Sequence, residues 1–582
     1  MEPSERAWFR LADVVRGDVP STHWAVTAAE MLAAHRLLPQ TAPGSIGDAT
    51  SEFTPQHWER VRDDAMRVWM ETNVRDGATP PFAQRLGDAR WPPGYFESVR
   101  SAVLEATKVS AASHAFQGSL EPVLTLLAMV SRMRHWDMPP VYLGELLAEV
   151  VGEPTPRSAY CAFEGAGVAA LILGHRGVDV VYEVRSADLA SFFSALSVSG
   201  RCKMSVVVGD PTAPAHDELR EADVSIFVPP FGQSGVRDFD VAMQVSHRKT
   251  VCAVLNGTLF RSAVADQAAK ERLLAQGLSA VVALPPGSMS TMSRIPGALL
   301  VIERPRASRE VLMVDGTATK RGQGLEAQED REQLLRLIRQ RDDGGSSAIV
   351  WPDEIAANDF NLLPERYVLP AHLASLYRRL ATEPTASLGD LVEIYRPQPS
   401  PKGDEPDTDW GWAEIAELVV SDLTEVGTAP PPRKRFRVSP SDALRMRKAE
   451  LAEGDVLLVT KGSVGKVGLV RSIPPGETWV ANQSFAILRL RGSGPIRDPR
   501  VLFRYLSSSV GQELLQAVRV GSTIPSIQMA DLRRVQVLIP SEAEQDSVAR
   551  AVEQLFDLEA QIDRIRQMQA GLQAETWPEI EQ

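Results

Sequence analysis

Between residues 150 and 305 the chain repeats one pattern, a short apolar run followed in several places by a helix-like segment. The runs are Ser158–Ala162, Val178–Tyr182, Met204–Val208, Val224–Phe227, Thr250–Leu255, Leu278–Ala283 and Ala298–Ile302. Apolar strands alternating with helices predict a mostly parallel sheet inside an α/β fold. Such a sheet binds its ligand outside the carboxyl ends of its strands. The residues directly after each run are therefore where chemistry is to be sought.

The rest of the chain differs in pattern. At 582 residues it is too long for one core, so two to four domains are expected. Residues 1–145 read as a helical domain, with helix-spaced apolar positions over Ala25–Leu38 and Val99–Thr107 and a long apolar segment at Leu120–Met133. Trp24, Trp58, Trp69 and Trp91 read as core anchors there. Residues 146–375 carry the sheet, followed by a charged helix over Glu326–Gln340. Residues 386–540 change to short Val, Ile and Leu runs separated by Gly, Pro and Asp, which reads as an α+β or mostly β domain, and residues 541–574 read as a terminal amphipathic helix.

Composition excludes several classes. No apolar run reaches membrane-spanning length, and the amino terminus lacks a basic region followed by an apolar stretch, so a cytoplasmic protein is expected. Cys161, Cys202 and Cys252 are too scattered for a metal site or a disulfide framework. A net charge of -13 argues against a uniformly basic coat but leaves room for a local basic groove.

Four features stand at successive strand ends. Ala162-Phe163-Glu164-Gly165-Ala166-Gly167 follows the first strand, where Gly165 and Gly167 would let a cofactor approach the backbone. Glu183 ends the second strand, where a carboxylate can grip ribose hydroxyls. Gly209-Asp210 ends the third, and Asp210 could meet an adenine amino group. Val228-Pro229-Pro230-Phe231 ends the fourth. Taken singly, each reads as well as a cap or a turn; the order is the signal.

An apolar strand followed by two prolines and an aromatic resembles what amino-methyltransferases acting on nucleic-acid bases place at their active site, and that resemblance implies a chemical logic. An exocyclic amino nitrogen is a poor nucleophile because its lone pair is delocalised into the ring. A side-chain oxygen and a neighbouring carbonyl that accept its two N–H groups help to localise that pair. Two prolines stiffen the turn and carry no N–H, and an aromatic can stack on a base turned out of the duplex. Val228 offers only its backbone carbonyl. One missing polar contact at a reacting centre costs roughly 3 kcal/mol, about two orders of magnitude in rate.

With these residues in place, the chain resembles the modification subunits of type I restriction–modification systems, DNA adenine-N6 methyltransferases. The likeness continues through Asn256-Gly257-Thr258-Leu259-Phe260, Pro285-Pro286-Gly287, Ile295-Pro296 and Asp359-Phe360-Asn361-Leu362-Leu363-Pro364-Glu365-Arg366-Tyr367, and Met138-Pro139-Pro140 stands where the family has a Thr-Pro segment. It implies a Rossmann-like methyltransferase domain using S-adenosylmethionine. Gly165, Gly167, Glu183 and Asp210 would hold that cofactor, and Val228, Pro229, Pro230 and Phe231 would form the target pocket. The chain departs from the family at Cys161-Ala162, which replaces Asp-Pro, and at Val228, which replaces the catalytic Asn.

Residues 386–574 resemble one target-recognition half of a type I specificity subunit. Gly389-Asp390-Leu391 opens it, Gly454-Asp455-Val456 through Lys461-Gly462-Ser463-Val464-Gly465-Lys466 is its central signature, and Gly521-Ser522-Thr523-Ile524-Pro525-Ser526-Ile527 and Val537-Leu538-Ile539-Pro540 complete the order. The resemblance implies binding of double-stranded DNA, with Lys461 and Lys466 on phosphates and Thr523 and Ser526 adding contacts. Arg433, Lys434 and Arg435 form a basic cluster that is either a solvated loop or a backbone contact. In the last helix, Val548, Ala551, Leu555, Leu558, Ile562, Ile565 and Leu572 recur by threes and fours, interrupted by Gln569, as in a coiled coil. A homodimer, or pairing with other restriction or defence subunits, is one expected use of that stripe; the alternative is a helix folded back on its own domain. Two readings follow: an S-adenosylmethionine-dependent, site-specific adenine-N6 methyltransferase of a restriction–modification or phage-defence system, or a catalytically inactive relative that recognises DNA or scaffolds a complex.

Overall fold

The computed structural model describes residues 3–14, 21–38, 45–47, 53–72, 78–82, 91–111, 120–132, 138–152, 154–212, 222–230, 246–291, 293–305, 309–319, 325–342, 344–369, 371–399, 413–520 and 525–575. Two compact units result, Met1–Val368 and Leu369–Gln582.

The first unit opens with helices α1 (Pro3–Val14), α2 (Ser21–Leu37), α3 (Pro55–Thr72), α4 (Tyr95–Ala111), α5 (Glu121–Val130) and α6 (Val141–Val151). The sheet follows: β1 (Ser158–Ala162), β2 (Asp179–Val184), β3 (Met204–Val208), β4 (Ala222–Phe227), β5 (Ser246–Leu255), β6 (Leu278–Ala283), β7 (Gly297–Glu303), β8 (Val311–Asp315) and β9 (Ser347–Val350). Every apolar run read from the sequence is a strand. Their order is β3-β2-β1-β4-β5-β7-β6-β8-β9. Pairing is parallel from β3 through β5, and β7 runs antiparallel between β5 and β6. All six residues of β6 are buried, as expected for a strand covered on both faces. Strand order reverses between β1 and β4, the switch point at which open α/β sheets bind ligands.

The helical segment, read as a domain of its own ending at 145, is part of this same unit. Trp8, Trp24, Trp58 and Val103 share one hydrophobic core with residues of the sheet and its covering helices. Helix α2 packs on the helix Ala187–Ser199. The loop at Thr79 lies along the edge strand: Thr79 N–H donates to the Val206 carbonyl at 2.7 Å, and Ser194 Oγ donates to the Thr79 carbonyl at 2.7 Å. That loop shields part of an edge otherwise open to pairing.

Within the helical layer Glu30 is buried 3.8 Å from Arg62. Burial outweighs the guanidinium and pushes its carboxyl from the ordinary 4.5 up to about 8. The folded state therefore favours the protonated acid. Its contribution to stability is complete below the ordinary carboxylate value and is lost as pH rises through about 8. Glu30→Gln is expected to stabilise the unit above that pH, by on the order of 3 kcal/mol, and to bring no gain in acid. Thermal unfolding across pH checks this; a gain that is the same at every pH contradicts it.

The second unit is α+β, as expected. Its four-stranded antiparallel sheet, in order β11-β17-β14-β15, contains β11 (Val392–Tyr395), β14 (Val456–Val459), β15 (Val467–Leu469) and β17 (Phe485–Leu490). A three-stranded sheet orders β12 (Ala413–Leu418) between β13 (Lys434–Val438) and β16 (Trp479–Ala481). β10 (Thr385–Ser387) pairs with β20 (Gln536–Leu538), and β18 (Arg519–Val520) with β19 (Ser526–Ile527). A 34-residue helix, Glu542–Glu575, closes the described chain.

The Gly454-Asp455 pair of the signature has a structural use. Asp455 is buried and accepts two bonds from Arg489 of β17, at 2.8 and 2.7 Å, and one from the Ala452 N–H at 2.7 Å. Removing one partner from such a pair strands the others. Asp455→Ala is expected to destabilise this unit by about 3 kcal/mol, read as an earlier urea midpoint with unchanged slope. A shift below about 0.5 kcal/mol would contradict that role.

Candidate functional site

The parallel register brings the four expected features to one edge of the sheet, at the ends of adjacent strands β3, β2, β1 and β4. Ala162, the last residue of β1, is level with Glu183 on one side and Phe227 on the other. Pro139, just before α6, also reaches this edge: a Cβ built on Gly165 would lie 3.4 Å from Pro139 Cδ. Phe231 lies outside the described residues.

The side chains on those tips are turned largely toward one another. A Cβ on Gly165 would lie 2.3 Å from Val228 Cγ1, so the bare backbone of Gly165 is covered by Val228. Val228 is 4% exposed, and Pro229 and Pro230 are half-buried. Gly167 also has a packing use. A Cβ there would meet the Phe193 ring at 2.3 Å and the Tyr182 hydroxyl at 2.8 Å, so its bareness serves packing against the helix Ala187–Ser199.

Glu183 is 2% exposed and accepts a 2.5 Å hydrogen bond from the Tyr160 hydroxyl. Its carboxylate lies against Gly209, where a Cβ would fall 2.0 Å from Oε1. The sequence placed this carboxylate in a ribose-gripping position; the fold buries it under its neighbours. Asp210 is exposed, yet its Oδ1 accepts from Thr212 N–H at 3.0 Å and Thr212 Oγ1 at 2.7 Å, with Arg185 Nη2 at 3.6 Å. Those bonds, then the Arg185 charge, hold its carboxyl below the usual carboxylate range.

Sequence reasoning missed Phe163, Arg185 and Tyr160. Phe163 adopts φ 69° and ψ 162°, a region populated almost only by glycine, at a cost of about 1–3 kcal/mol. Its buried ring lies 6.4 Å from Phe227, and the Arg185 guanidinium sits 5.1 Å from its centroid. No spacing rule marks an arginine two residues after Glu183 as a partner of both Phe163 and Asp210.

In the second unit Lys461 is exposed beside the turn whose Gly462 and Gly465 have φ of 83° and 97°. Lys461 bridges to Ser526 of β19, and Gly462 N–H donates to the Pro525 carbonyl at 2.9 Å, so the two signature segments meet. Gln512 fixes the turn by donating to the Gly465 carbonyl at 2.8 Å. Lys466 is placed otherwise than expected: its ammonium donates to the Val420 and Leu423 carbonyls at 3.3 and 2.9 Å. Thr523, with Gly521, Ser522 and Ile524, lies outside the described residues.

The basic cluster forms β13 and the approach to it. Lys434 pairs with Glu417, and Arg435 pairs with Glu414 at 3.4 Å and Glu477 at 2.8 Å, so acids on and beside the neighbouring strands offset much of its charge. Arg433 is exposed at the start of this strand. The terminal helix has two apolar faces. Ala549, Val552 and Phe556 are buried, with Phe556 against Phe503 at 5.6 Å. Leu555, Leu558, Ile562, Ile565 and Leu572 are exposed on the other.

Among the described residues no cluster of His, Cys, Asp and Glu could hold a metal ion, and no helix is long and apolar enough to cross a membrane.

Residues 242–374 match the family model described as N-6 DNA Methylase, and residues 385–567 match the type I restriction modification DNA specificity domain. The first match begins after Val228, so it includes Asn256–Phe260 and Asp359–Tyr367 but none of the four tip features. A 120-residue stretch is 29% identical to the specificity subunit of the type I restriction enzyme EcoBI from Escherichia coli, covering 21% of this chain and 24% of that protein. The chain thus spans about a quarter of the length of that curated relative. Among solved structures, a type I restriction–modification methyltransferase subunit from Streptococcus thermophilus aligns with 63% of this chain and 99% of its own at 14% identity and a TM-score of 0.48. The type IIG restriction endonuclease BpuSI aligns with 95% of this chain and 75% of its own at 10% identity and a TM-score of 0.46.

Proposed function

We propose that this chain, in which an N-6 DNA methylase-like unit is continuous with a type I specificity-like domain, reads double-stranded DNA for a restriction–modification or phage-defence system in the cytoplasm. The observation that carries the reading is the succession of those two matches, 242–374 and 385–567, on one polypeptide. The second unit supplies the duplex contact. Lys461 is its exposed cation at the glycine turn, with Ser526 beside it and Arg433 at the start of β13. Lys466 holds the 420–423 turn from within and supports the contact rather than making it.

A phosphate contact has a recognisable signature. Lys461→Ala is expected to weaken binding about equally across duplex sequences and to reduce the salt slope by about 1. Affinity measured over a salt series checks this. An unchanged slope would remove Lys461 from the interface.

The exposed stripe on the terminal helix, Leu555, Leu558, Ile562, Ile565 and Leu572, pairs with the same stripe of a second copy. Gln569 falls in line with Leu555 and Ile562 at heptad intervals, where a polar residue sets register. Two copies related by a two-fold axis would present two DNA-reading units to a split site.

S-adenosylmethionine is the cofactor that an N-6 methylase-like fold implies, with an adenine amino group as methyl acceptor. Two readings share DNA recognition and part at methyl transfer. Val228 seated on Gly165 favours the catalytically silent one, because an apolar side chain stands where amino-group chemistry needs an acceptor oxygen. Duplex DNA incubated with native protein and tritium-labelled methyl donor is expected to stay unlabelled. Label in adenine, growing with time, would restore the active reading.

A further inference from the structure

The tips of β4, β1, β2 and β3 are joined by an unbroken row of side-chain contacts. Val228 covers the backbone of Gly165. Phe227 meets the Phe163 ring at 6.4 Å. The Arg185 guanidinium lies 5.1 Å from that ring and 3.6 Å from Asp210 Oδ1. Adjacent strands lie about 4.8 Å apart, so a ligand spread over four tips needs that same strip of surface. Three of the groups that should hold S-adenosylmethionine are already engaged by groups of this chain: Gly165 by Val228, Glu183 by Tyr160, and Asp210 by Thr212 and Arg185.

Resting on the reading of this chain as a DNA-reading methylase relative, we propose that its strand-tip crevice is closed to S-adenosylmethionine by Val228 and by an Arg185 strut between Phe163 and Asp210, so that DNA recognition proceeds without a methyl donor. Two further features fit a built closure. Phe163 holds a backbone conformation that disfavours any side chain, and this brings its ring under Arg185. The Arg185 backbone N–H is itself directed at Glu164 Oε1, at 3.4 Å, which ties the loop after β1 to the end of β2. The residues present do not fit the cofactor, and no methyl-transfer step runs through them.

The test is equilibrium dialysis of the full-length chain against tritium-labelled S-adenosylmethionine, with and without random duplex DNA. No saturable uptake is expected in either case, and a gel shift of the same duplex should be unchanged by the donor. Uptake of one donor per chain would overturn the closure. The double variant Arg185→Ala, Val228→Asn, once circular dichroism shows it folded, is expected to gain saturable binding at least about tenfold tighter than any native residue of uptake. A folded double variant that still takes up nothing would overturn the assignment of these two side chains. If that variant does not fold, the native dialysis alone decides. The two proposals fail separately. A chain that binds the donor and shifts DNA contradicts the closure and keeps the DNA reading; a chain that binds neither keeps the closure and removes the DNA reading.

Discussion

A chain ending at Val368 is expected to lose duplex affinity by at least about a thousandfold, the usual gap between specific and non-specific binding. The truncation respects the molecule, because Met1–Val368 is compact by itself and its core closes without the second unit. What it removes is the whole segment matched as a specificity domain, including the glycine turn with Lys461 and the strand that begins beside Arg433. A gel shift against duplex selected by the native chain reads the loss. Retained affinity would move the DNA contact to the first unit.

The second large effect concerns assembly. Ile562→Asp with Ile565→Asp is expected to turn a dimer into a monomer, weakening self-association by at least about a thousandfold. Both side chains are about half exposed, at 49% and 56%, so the charges cost the folded unit little. The buried anchors Val552 and Phe556 are on the other face and remain in place. Sedimentation equilibrium of native and variant chains gives the answer. A native chain that is already monomeric at high concentration would contradict the pairing, and so would a variant that stays dimeric.

What the sequence makes legible here is what depends on local pattern. Short apolar runs such as Leu278–Ala283 announce buried strands, because a strand covered on both faces needs no polar alternation. The convergence of Gly165, Glu183, Asp210 and Val228 follows from strand polarity, since residues at the carboxyl ends of parallel neighbours share one edge. What each side chain does at that edge depends on residues distant in sequence. Gly167 is held bare by Phe193, and Glu183 is bonded by Tyr160 on the neighbouring strand. Neither relation has a sequence spacing to betray it.

The same limit explains Lys466 and the basic strand. A lysine in a glycine turn reads as a phosphate contact until the turn at Val420–Leu423 is seen to supply its carbonyl partners. Lys434 and Arg435 read as a cationic patch until β12, with Glu414 and Glu417, is placed beside them. The helical start of the chain reads as a separate domain because its pattern changes near residue 145, although its buried face belongs to the core of the sheet. Pattern changes mark the kind of element; core continuity is a tertiary property.

Whether this molecule reads DNA sequence without a methyl donor can be asked in one experiment. The full-length chain is incubated with random duplex in the absence of S-adenosylmethionine, and the retained DNA is sequenced over successive rounds. Enrichment of a split motif with two half-sites is the expected result. Retained DNA as random as the input, or a motif that emerges only when the donor is added, would contradict it.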